Sequence, residues 1–415
     1  MKSRTGLIAA LDIGTTKVCC FIARLSGNEE TMPQVTGIGH QIAHGLKAGV
    51  IIDMEEAEAA ILNTVHAAEQ MAGETVRHAI INISGGKLLS RSFSVASPVT
   101  GHEITQDDLT RAFKQGCAAH PAPEQRTLHT IPVSYSIDGS RGIRDPRGMY
   151  GEQLGINMHL ISAPNGIARN LRTCVERCHL DVVEVVATPY ASGLACLVED
   201  EMDLGSVCID MGGGTTSISV FADGKIVYCS TLPVGGAHVT NDIARGLSTT
   251  LAHAERMKTL YGSAIPSIND ERDYVDVPLI GEEKHTQPNH VPKSVLNSII
   301  RPRLEEILEM VRDNLEQSGF DRISGQRAVL TGGGSQMQGI RDLAAMILDK
   351  QIRIGKPTRI GGLAEATGGP AFSACSGLLI HSLKQKAEVP VRERGFLEES
   401  SGLMGRVGLW LRESF

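Results

Sequence analysis

The sequence predicts an α/β protein of two lobes, and three observations carry that expectation. The chain has 415 residues with 41% hydrophobic content, more than one core usually supports. One apolar run ends at Asp210 and passes into Gly212-Gly213-Gly214-Thr215-Thr216, and near the start another ends at Asp12 and passes into Gly14-Thr15-Thr16-Lys17. A third glycine turn, Gly332-Gly333-Gly334-Ser335, follows a short apolar run late in the chain. Glycine lets a backbone turn sharply and approach a ligand that side chains would hold away. Such turns offer N–H donors to phosphate oxygens, while a carboxylate at the strand end can hold a hydrated divalent cation against them. On this reading the chain carries the same phosphate turn twice.

Composition removes other classes. A net charge of −7 gives no general basic field for nucleic acid. Nine cysteines in apolar settings, among them Cys19, Cys20, Cys196 and Cys208, read as reduced thiols and not as a disulfide framework. The opening Lys2 and Arg4 precede an apolar stretch that is short and runs into Asp12, which fits a buried strand better than a signal peptide. No apolar run approaches the roughly 18 residues that span a bilayer.

In chain order, residues 6 to 25 are expected as two strands around the first turn, and Glu55 to Met71 as an amphipathic helix. Lys17 follows the hydroxyls at once, and its flexible ammonium suits a β- or γ-phosphate; the alternative is a solvated strand-edge lysine. Residues 84 to 160 are polar and β-rich, with a helix after Thr105 and a break at Pro121-Ala122-Pro123, and read as an inserted subdomain. Arg141, Arg144 and Arg147 there make either an anion site or an ordinary exposed loop. The α/β pattern resumes with strand 156–163, helix 165–178 and strand 181–187. Cys174 and Cys178-His179 are half a zinc site at best, against structural thiols on a helix. Small residues over 188–195 and again over 366–379 suit two helices in equivalent places of two lobes, as a hinge or as plain core packing.

The second lobe is expected to open with strands 216–222 and 225–233 joined at Asp223-Gly224. A helix from Gly235-Gly236 toward Gly246 and another around Ala254 to Lys258 follow. Glu255 and Lys258 are i and i+3 neighbours, able to grip a ribose and base or to form a surface ion pair. After a polar stretch at 263–292 come a long amphipathic helix to about Gln317, strand 327–331, the third glycine turn, suited to close approach of an adenosine, and a helix from Gly339 to Leu348.

Two Asp-Gly-Thr-Thr turns, two small-residue helices and a late Gly-Gly-Gly-Ser turn, in this order, resemble the actin, heat-shock-chaperone and sugar-kinase ATPase superfamily. Within it, Leu128-His129-Thr130-Ile131-Pro132-Val133-Ser134-Tyr135-Ser136-Ile137-Asp138, Glu176-Arg177-Cys178, Pro302-Arg303 and an amphipathic end resemble the FtsA family of bacterial cell-division proteins, from about residue 5 to 415. The resemblance implies a two-lobed actin-like ATPase fold with a relocated subdomain, called 1C, in the first lobe. Subdomain 1A would take 1–83, 161–203 and 366–383, with 1C at 84–160. Subdomain 2A would take 204–235 and 301–365, with 2B at 236–300.

The resemblance also implies ATP and Mg²⁺ as ligands. Asp12 and Asp210 would orient the magnesium, largely through water. Gly14, Thr15, Thr16 and Lys17 would hold phosphates from one side, and Gly212, Gly213, Gly214, Thr215 and Thr216 from the other. Glu255, Lys258, Gly332, Gly333, Gly334 and Ser335 would hold ribose and adenine. In relatives that hydrolyse readily the first connecting helix supplies a Glu or Gln beside the attacking water. Here the chain reads Ala187-Thr188-Pro189, so slow or negligible turnover is expected.

Residues 384–402 are rich in charge and read as a flexible linker. In 403–415, Leu403, Met404, Val407, Trp410, Leu411 and Phe415 fall on one side of a helical projection, with Arg406, Arg412 and Glu413 facing away. That pattern suits an amphipathic helix on an anionic membrane surface, although docking on its own domain would also produce the stripe. Implied partners are further copies of the chain in actin-like filaments, the C-terminal peptide of the tubulin-like FtsZ, and other division proteins through 84–160. The implied place is the cytoplasmic face of the inner membrane. Arg301 and Arg303 would meet acidic groups of the FtsZ peptide or else form a solvated helix face. Competing readings are a pilus-assembly adaptor of the same superfamily and a sugar or acetate kinase. A chaperone would need a substantial substrate domain after the ATPase.

Overall fold

The apolar run that ends in Asp12 forms strand β1 (Gly6–Ile13), and the chain returns antiparallel as β2 (Lys17–Leu25) and β3 (Gln34–Ile42). The architecture comes from a computed structural model, which describes residues 6–25, 32–99, 101–119, 124–281, 289–323 and 325–384. The amphipathic helix expected at 403–415, and the linker before it beyond position 384, lie outside the described residues. A small hairpin, β4 (Leu46–Lys47) and β5 (Val50–Ile51), leads into helix α1 (Met54–Ala72). The Asp53 side chain accepts from the Glu56 N–H to cap α1, and Gly73 ends the helix at φ 70°. Ala57, Ala60, Ile61, Thr64, Val65 and Ala68 are its buried residues, at the spacing of one helical face. That face rests on the backbone of β3. A Cβ on Gly37 would lie 2.2 Å from the Ala68 carbonyl oxygen, and one on Gly39 2.0 Å from that of Thr64.

Strand β6 (His78–Ile83) joins β1 in parallel. The chain then leaves the lobe as β7 (Leu89–Pro98), α2 (Gln106–Ala119), β8 (Gln125–Ile137), β9 (Ser140–Ile143) and β10 (Gln153–Pro164). These strands form their own antiparallel sheet, ordered β7-β10-β8-β9. Val95, Leu109, Ile137, Leu154, Ile156 and Met158 belong to a separate core there, so the insert has a hydrophobic centre of its own. Helix α3 (Asn165–Arg177) and β11 (Asp181–Ala187) bring the chain back and complete a five-stranded sheet ordered β11-β6-β1-β2-β3. Helices α4 (Thr188–Cys196) and α5 (Glu199–Leu204) lead out of the lobe.

The second lobe repeats the plan. Strands β12 (Ser206–Met211), β13 (Thr216–Ala222) and β14 (Lys225–Leu232) run antiparallel. Asp223 at φ 50° and Gly224 at φ 74° make the two-residue turn between β13 and β14. After α6 (Gly236–Gly246), α7 (Leu251–Tyr261), the pair β15 (Tyr274–Val277) and β16 (Asn289–Pro292), and α8 (Lys293–Ser318), strand β17 (Arg327–Thr331) joins β12 in parallel. Helix α9 (Ile340–Leu348) and β18 (Gln351–Ile354) finish a sheet ordered β14-β13-β12-β17-β18. Both five-stranded sheets therefore hold three antiparallel strands and two parallel ones in the same order.

Helix α10 (Ser373–Lys384) returns to the first lobe. The expected pair of small-residue helices is realised differently from the sequence reading. Positions 365–367 and 370–372 are single turns, the helix starts only at Ser373, and it crosses α4 directly. A Cβ on Gly377 would lie 1.8 Å from the Ala191 carbonyl oxygen, so the small residues serve one tight helix crossing.

The insert is also tied to the second lobe. His159 on β10 is fully buried, and its Nδ1 donates to the Ile226 carbonyl at 3.0 Å. Its Nε2 accepts from Ser90 Oγ at 2.8 Å, and Ser90 Oγ in turn accepts from the Cys229 N–H at 3.2 Å. Ile226 and Cys229 lie on β14, so this clasp joins two sheets that the chain does not connect directly.

Candidate nucleotide-binding cleft

The two lobes bring their strand-end turns face to face. In the first, the Gly14 N–H donates to the Lys17 carbonyl at 2.9 Å; in the second, the Gly212 N–H donates to the Thr215 carbonyl at 2.9 Å. The strand pairings match as well, Asp12 opposite Cys19 and Asp210 opposite Ser217. This register corrects the idea that the threonine pairs are equivalent. Thr15 and Thr16 correspond to Gly213 and Gly214, and Lys17 corresponds to Thr215. Across the cleft, a Cβ on Gly213 would lie 2.3 Å from Thr16 Oγ1 and one on Gly214 2.4 Å from Thr15 Oγ1. Glycine in one turn leaves space for threonine in the other. Thr216 is fully buried and donates to the Val234 carbonyl at 2.8 Å, inside the second lobe and away from the cleft.

Both aspartates are buried. Asp12 is held by Asn82, whose Nδ2 donates to its Oδ1 at 2.6 Å. Ser192 on α4 donates to Asp210 Oδ2. Burial pushes the Asp12 carboxyl up to about 6, with Lys17 and Asn82 opposing and Asp210 adding to the rise. Burial likewise raises Asp210, against the hydrogen bond from Ser192 and the charge of Lys17. Two buried carboxylates on facing strand ends, with the charge of Lys17 acting on both, are a donor set suited to a hard divalent cation.

Lys17 lines the same cavity, where its Nζ donates to the Ala371 carbonyl and sits 4.0 Å from the centroid of the Phe372 ring. Gly332, at φ 82°, is required by contact as well as conformation, since a Cβ there would lie 2.2 Å from Asp210 Oδ1. Gly332 and Gly333 line the cavity. A Cβ on Gly334 would face Met211, and Ser335 is buried with its Oγ donating to the Gly332 carbonyl at 2.8 Å. The cavity itself is about 170 Å³. That is below the roughly 300 Å³ at which small-molecule pockets usually begin, so the space between the turns as it stands would enclose only part of a ligand of that size.

Glu255 and Lys258 form the i,i+3 pair at 2.6 Å, and Lys258 Nζ also donates to Thr240 Oγ1 at 2.8 Å and the Gly236 carbonyl at 3.1 Å. The pair is thus anchored to the start of α6, whose Gly236 N–H donates to the Gly212 carbonyl at 2.9 Å. Arg301 pairs with Glu305 at 2.7 Å on its own helix, and Arg303 bridges to Asp242 on α6 at 2.6 Å. Sequence reasoning missed Asn82, Ser84 and Ser217, all of which line the cavity. One signal was available for Asn82, a carboxamide inside the apolar run Ala79-Ile80-Ile81-Asn82-Ile83.

Other clusters are structural. The Cys178 thiol donates to the Cys174 carbonyl at 3.3 Å, and burial pushes their pKa values up to about 11 and 12. His129, Glu184 and His381 offer ligand atoms within 4.8 Å of one another, but His129 Nε2 accepts from the Ala187 N–H and His381 Nε2 faces Glu184 at 2.8 Å. A second cavity of about 440 Å³ is lined by Ser90, Val227, Tyr228, Asn314 and Phe320 among others, and shares no residue with the cleft.

Comparison with known proteins agrees with this architecture. The sequence profile of the family described as "Cell division protein FtsA" matches residues 207–377, and that of the "SHS2 domain inserted in FTSA" matches 85–162. The "Cell division protein FtsA" of Rhizobium meliloti (strain 1021) is 45% identical over 100% of this chain and 96% of its own length. Among solved structures, a chain of the "PilM-PilN type IV pilus biogenesis complex" is 18% identical at TM-score 0.63, with 91% of this chain and 98% of that one covered. MreB 5 of Spiroplasma citri bound to AMPPNP is 15% identical at TM-score 0.54, with 92% and 98% covered. These two structures share the actin-like fold with this chain. With its duplicated sheets, its inserted subdomain and full-length identity at this level, the chain belongs to the FtsA family of cell-division proteins.

Proposed function

We propose that this chain binds Mg-ATP in the cleft, assembles into actin-like filaments at the inner membrane and tethers FtsZ filaments there during division. The observation that carries the reading is the facing pair Asp12 and Asp210, both buried and both followed by a glycine turn lining one cavity. Asp12 and Asp210 would hold the magnesium, largely through water. Gly14 to Lys17 and Gly212 to Thr215 would supply the phosphate contacts, and Glu255, Lys258 and the turn from Gly332 to Gly334 the adenosine side, with Thr216 and Ser335 bracing the two turns from inside the second lobe. A bound cation would supply neutralisation of phosphate charge, while the two glycine turns would hold the phosphate oxygens. The AMPPNP-bound MreB 5 structure supports the choice of ligand class.

Helix α4 begins with the Thr188 hydroxyl and Pro189, with no acidic group to take a proton from water, so turnover is slow. A released-phosphate assay reading above about 1 s⁻¹ would overturn that point. Residues 403–415 supply the membrane contact through Leu403, Met404, Val407, Trp410, Leu411 and Phe415. One tail binds weakly and reversibly, and many tails along a filament bind firmly. Subdomain 84–160 meets other division proteins, and Arg301 with its surroundings meets the FtsZ peptide. The test is flotation with anionic liposomes, comparing the full chain with one ending at Ala387, each with and without Mg-ATP. The expected result is ATP-enhanced flotation of the full chain only. If neither chain floats while both stay folded, the membrane-tether reading fails.

A further inference from the structure

We propose that Asn82 is a positioning residue of this cleft, fixing the Asp12 carboxylate toward the cation and turning the Thr188 hydroxyl hydrogen toward the terminal phosphate. The proposal rests on the reading of the cleft as a Mg-nucleotide site. Asn82 is 1% exposed, near the end of β6, in a strand otherwise apolar from Ala79 to Ile83. A buried carboxamide there must satisfy its polar atoms locally, and it does. Its Oδ1 accepts from the Ile13 N–H at 2.7 Å. Its Nδ2 donates to Asp12 Oδ1 at 2.6 Å and to Thr188 Oγ1 at 3.1 Å.

The orientation of the amide follows from its partners. A backbone N–H can only donate and an ionised carboxylate can only accept, so oxygen faces Ile13 and nitrogen faces Asp12. The second amide hydrogen then occupies a lone pair of Thr188, whose own hydrogen is left to point into the cavity that Thr188 lines. One side chain thus sets both the acid that meets the cation and the hydroxyl at the start of α4. Its three partners sit on β1 and α4, the elements that carry the first phosphate turn and the exit toward the second lobe.

The experiment measures nucleotide affinity of the full chain by titration calorimetry, in Mg²⁺ and in excess EDTA, with ATP and with ADP. Asn82→Ala is expected to weaken Mg-ATP binding at least about tenfold, the loss of one hydrogen bond to a charged group, while metal-free ATP affinity stays within about twofold. Thr188→Val, close in shape and lacking the hydroxyl, is expected to lower the preference for Mg-ATP over Mg-ADP about fivefold. A purely structural amide would shift both buffers alike, and that result, or no shift at all, overturns the proposal. If Asn82→Ala does not fold, an unchanged ATP-to-ADP preference in Thr188→Val overturns it instead. A wild-type chain that binds no nucleotide in either buffer removes the underlying reading along with it.

Discussion

Gly213 faces Thr16 so closely that a Cβ on the glycine would lie 2.3 Å from the threonine Oγ1. The contact spans the two lobes, and each lobe brings to it one end of a five-stranded sheet. Closure of the cleft is therefore set by a glycine on one side and a hydroxyl on the other.

Gly213→Ala should hold the turns apart and weaken Mg-ATP binding about tenfold, the lower range of an overpacked contact. Each lobe's core is untouched, so the melting temperature should move little. Fluorescence titration with a labelled ATP analogue, beside a thermal melt, checks both halves. Tight binding at wild-type strength would mean that the lobes do not meet here in solution.

Gly377 gives a contrasting case. Its missing Cβ would strike the Ala191 backbone at 1.8 Å, within the crossing of α10 on α4. Gly377→Ala is expected to cost about 2 to 3 kcal/mol, the upper range for forced overpacking. Gly166 in α3 has nothing within 4 Å of a built Cβ. There, alanine should stabilise by about 0.5 to 1 kcal/mol through helix propensity. Urea unfolding of the two variants should move in opposite directions.

Arg303 and Arg301 separate a structural role from a binding one. Arg303 spans from α8 to Asp242 on α6, tying two helices together with both side chains partly exposed, whereas Arg301 pairs with Glu305 one turn along its own helix. Arg303→Ala should destabilise by about 1 to 3 kcal/mol, and Arg301→Ala by less than about 0.5. If the FtsZ peptide docks here, Arg301→Glu should lower its affinity several-fold without changing the melt. Equal affinities for the Arg301 variant and wild type would move the peptide site elsewhere.

The buried clasp at His159 predicts an acid sensitivity. Burial holds its pKa down to about 4 from 6.5, with the hydrogen bond to Ile226 opposing. The folded chain keeps the ring neutral while the unfolded chain takes up a proton near 6.5. Stability is thus lost as pH falls from about 6.5 toward 4, by at most about 1.4 kcal/mol per pH unit. His129 is lowered as well, so the comparison is with His159→Gln, which keeps a donor and an acceptor. The variant should show a shallower fall in urea midpoint over that range, and parallel curves would place the sensitivity elsewhere.

The phosphate turns were legible because everything they need is adjacent in the chain, an apolar run, Asp12 or Asp210, then glycine. Their true equivalence was not, because Lys17 and Thr215 are matched by backbone hydrogen bonds and look unrelated as side chains. Strand β3 escaped the sequence reading since Gly37 and Gly39 interrupt its pattern, and those glycines are explained only by α1 lying on them. Asn82 escaped because its partner Asp12 is 70 residues away and Thr188 is 106 away. Thr216 and Ser335 looked like ligands by type, yet their hydroxyls satisfy carbonyls inside the second lobe.

The clasp from His159 and Ser90 to β14 has a mechanical meaning. The insert is covalently part of one lobe and hydrogen-bonded to the edge strand of the other. Parting the lobes must either break those bonds or swing the insert about its attachment points near residues 85 and 164. In the second case any change in cleft width at the turns becomes a displacement of the insert's whole sheet, and the insert acts as the needle of a gauge whose dial is the cleft.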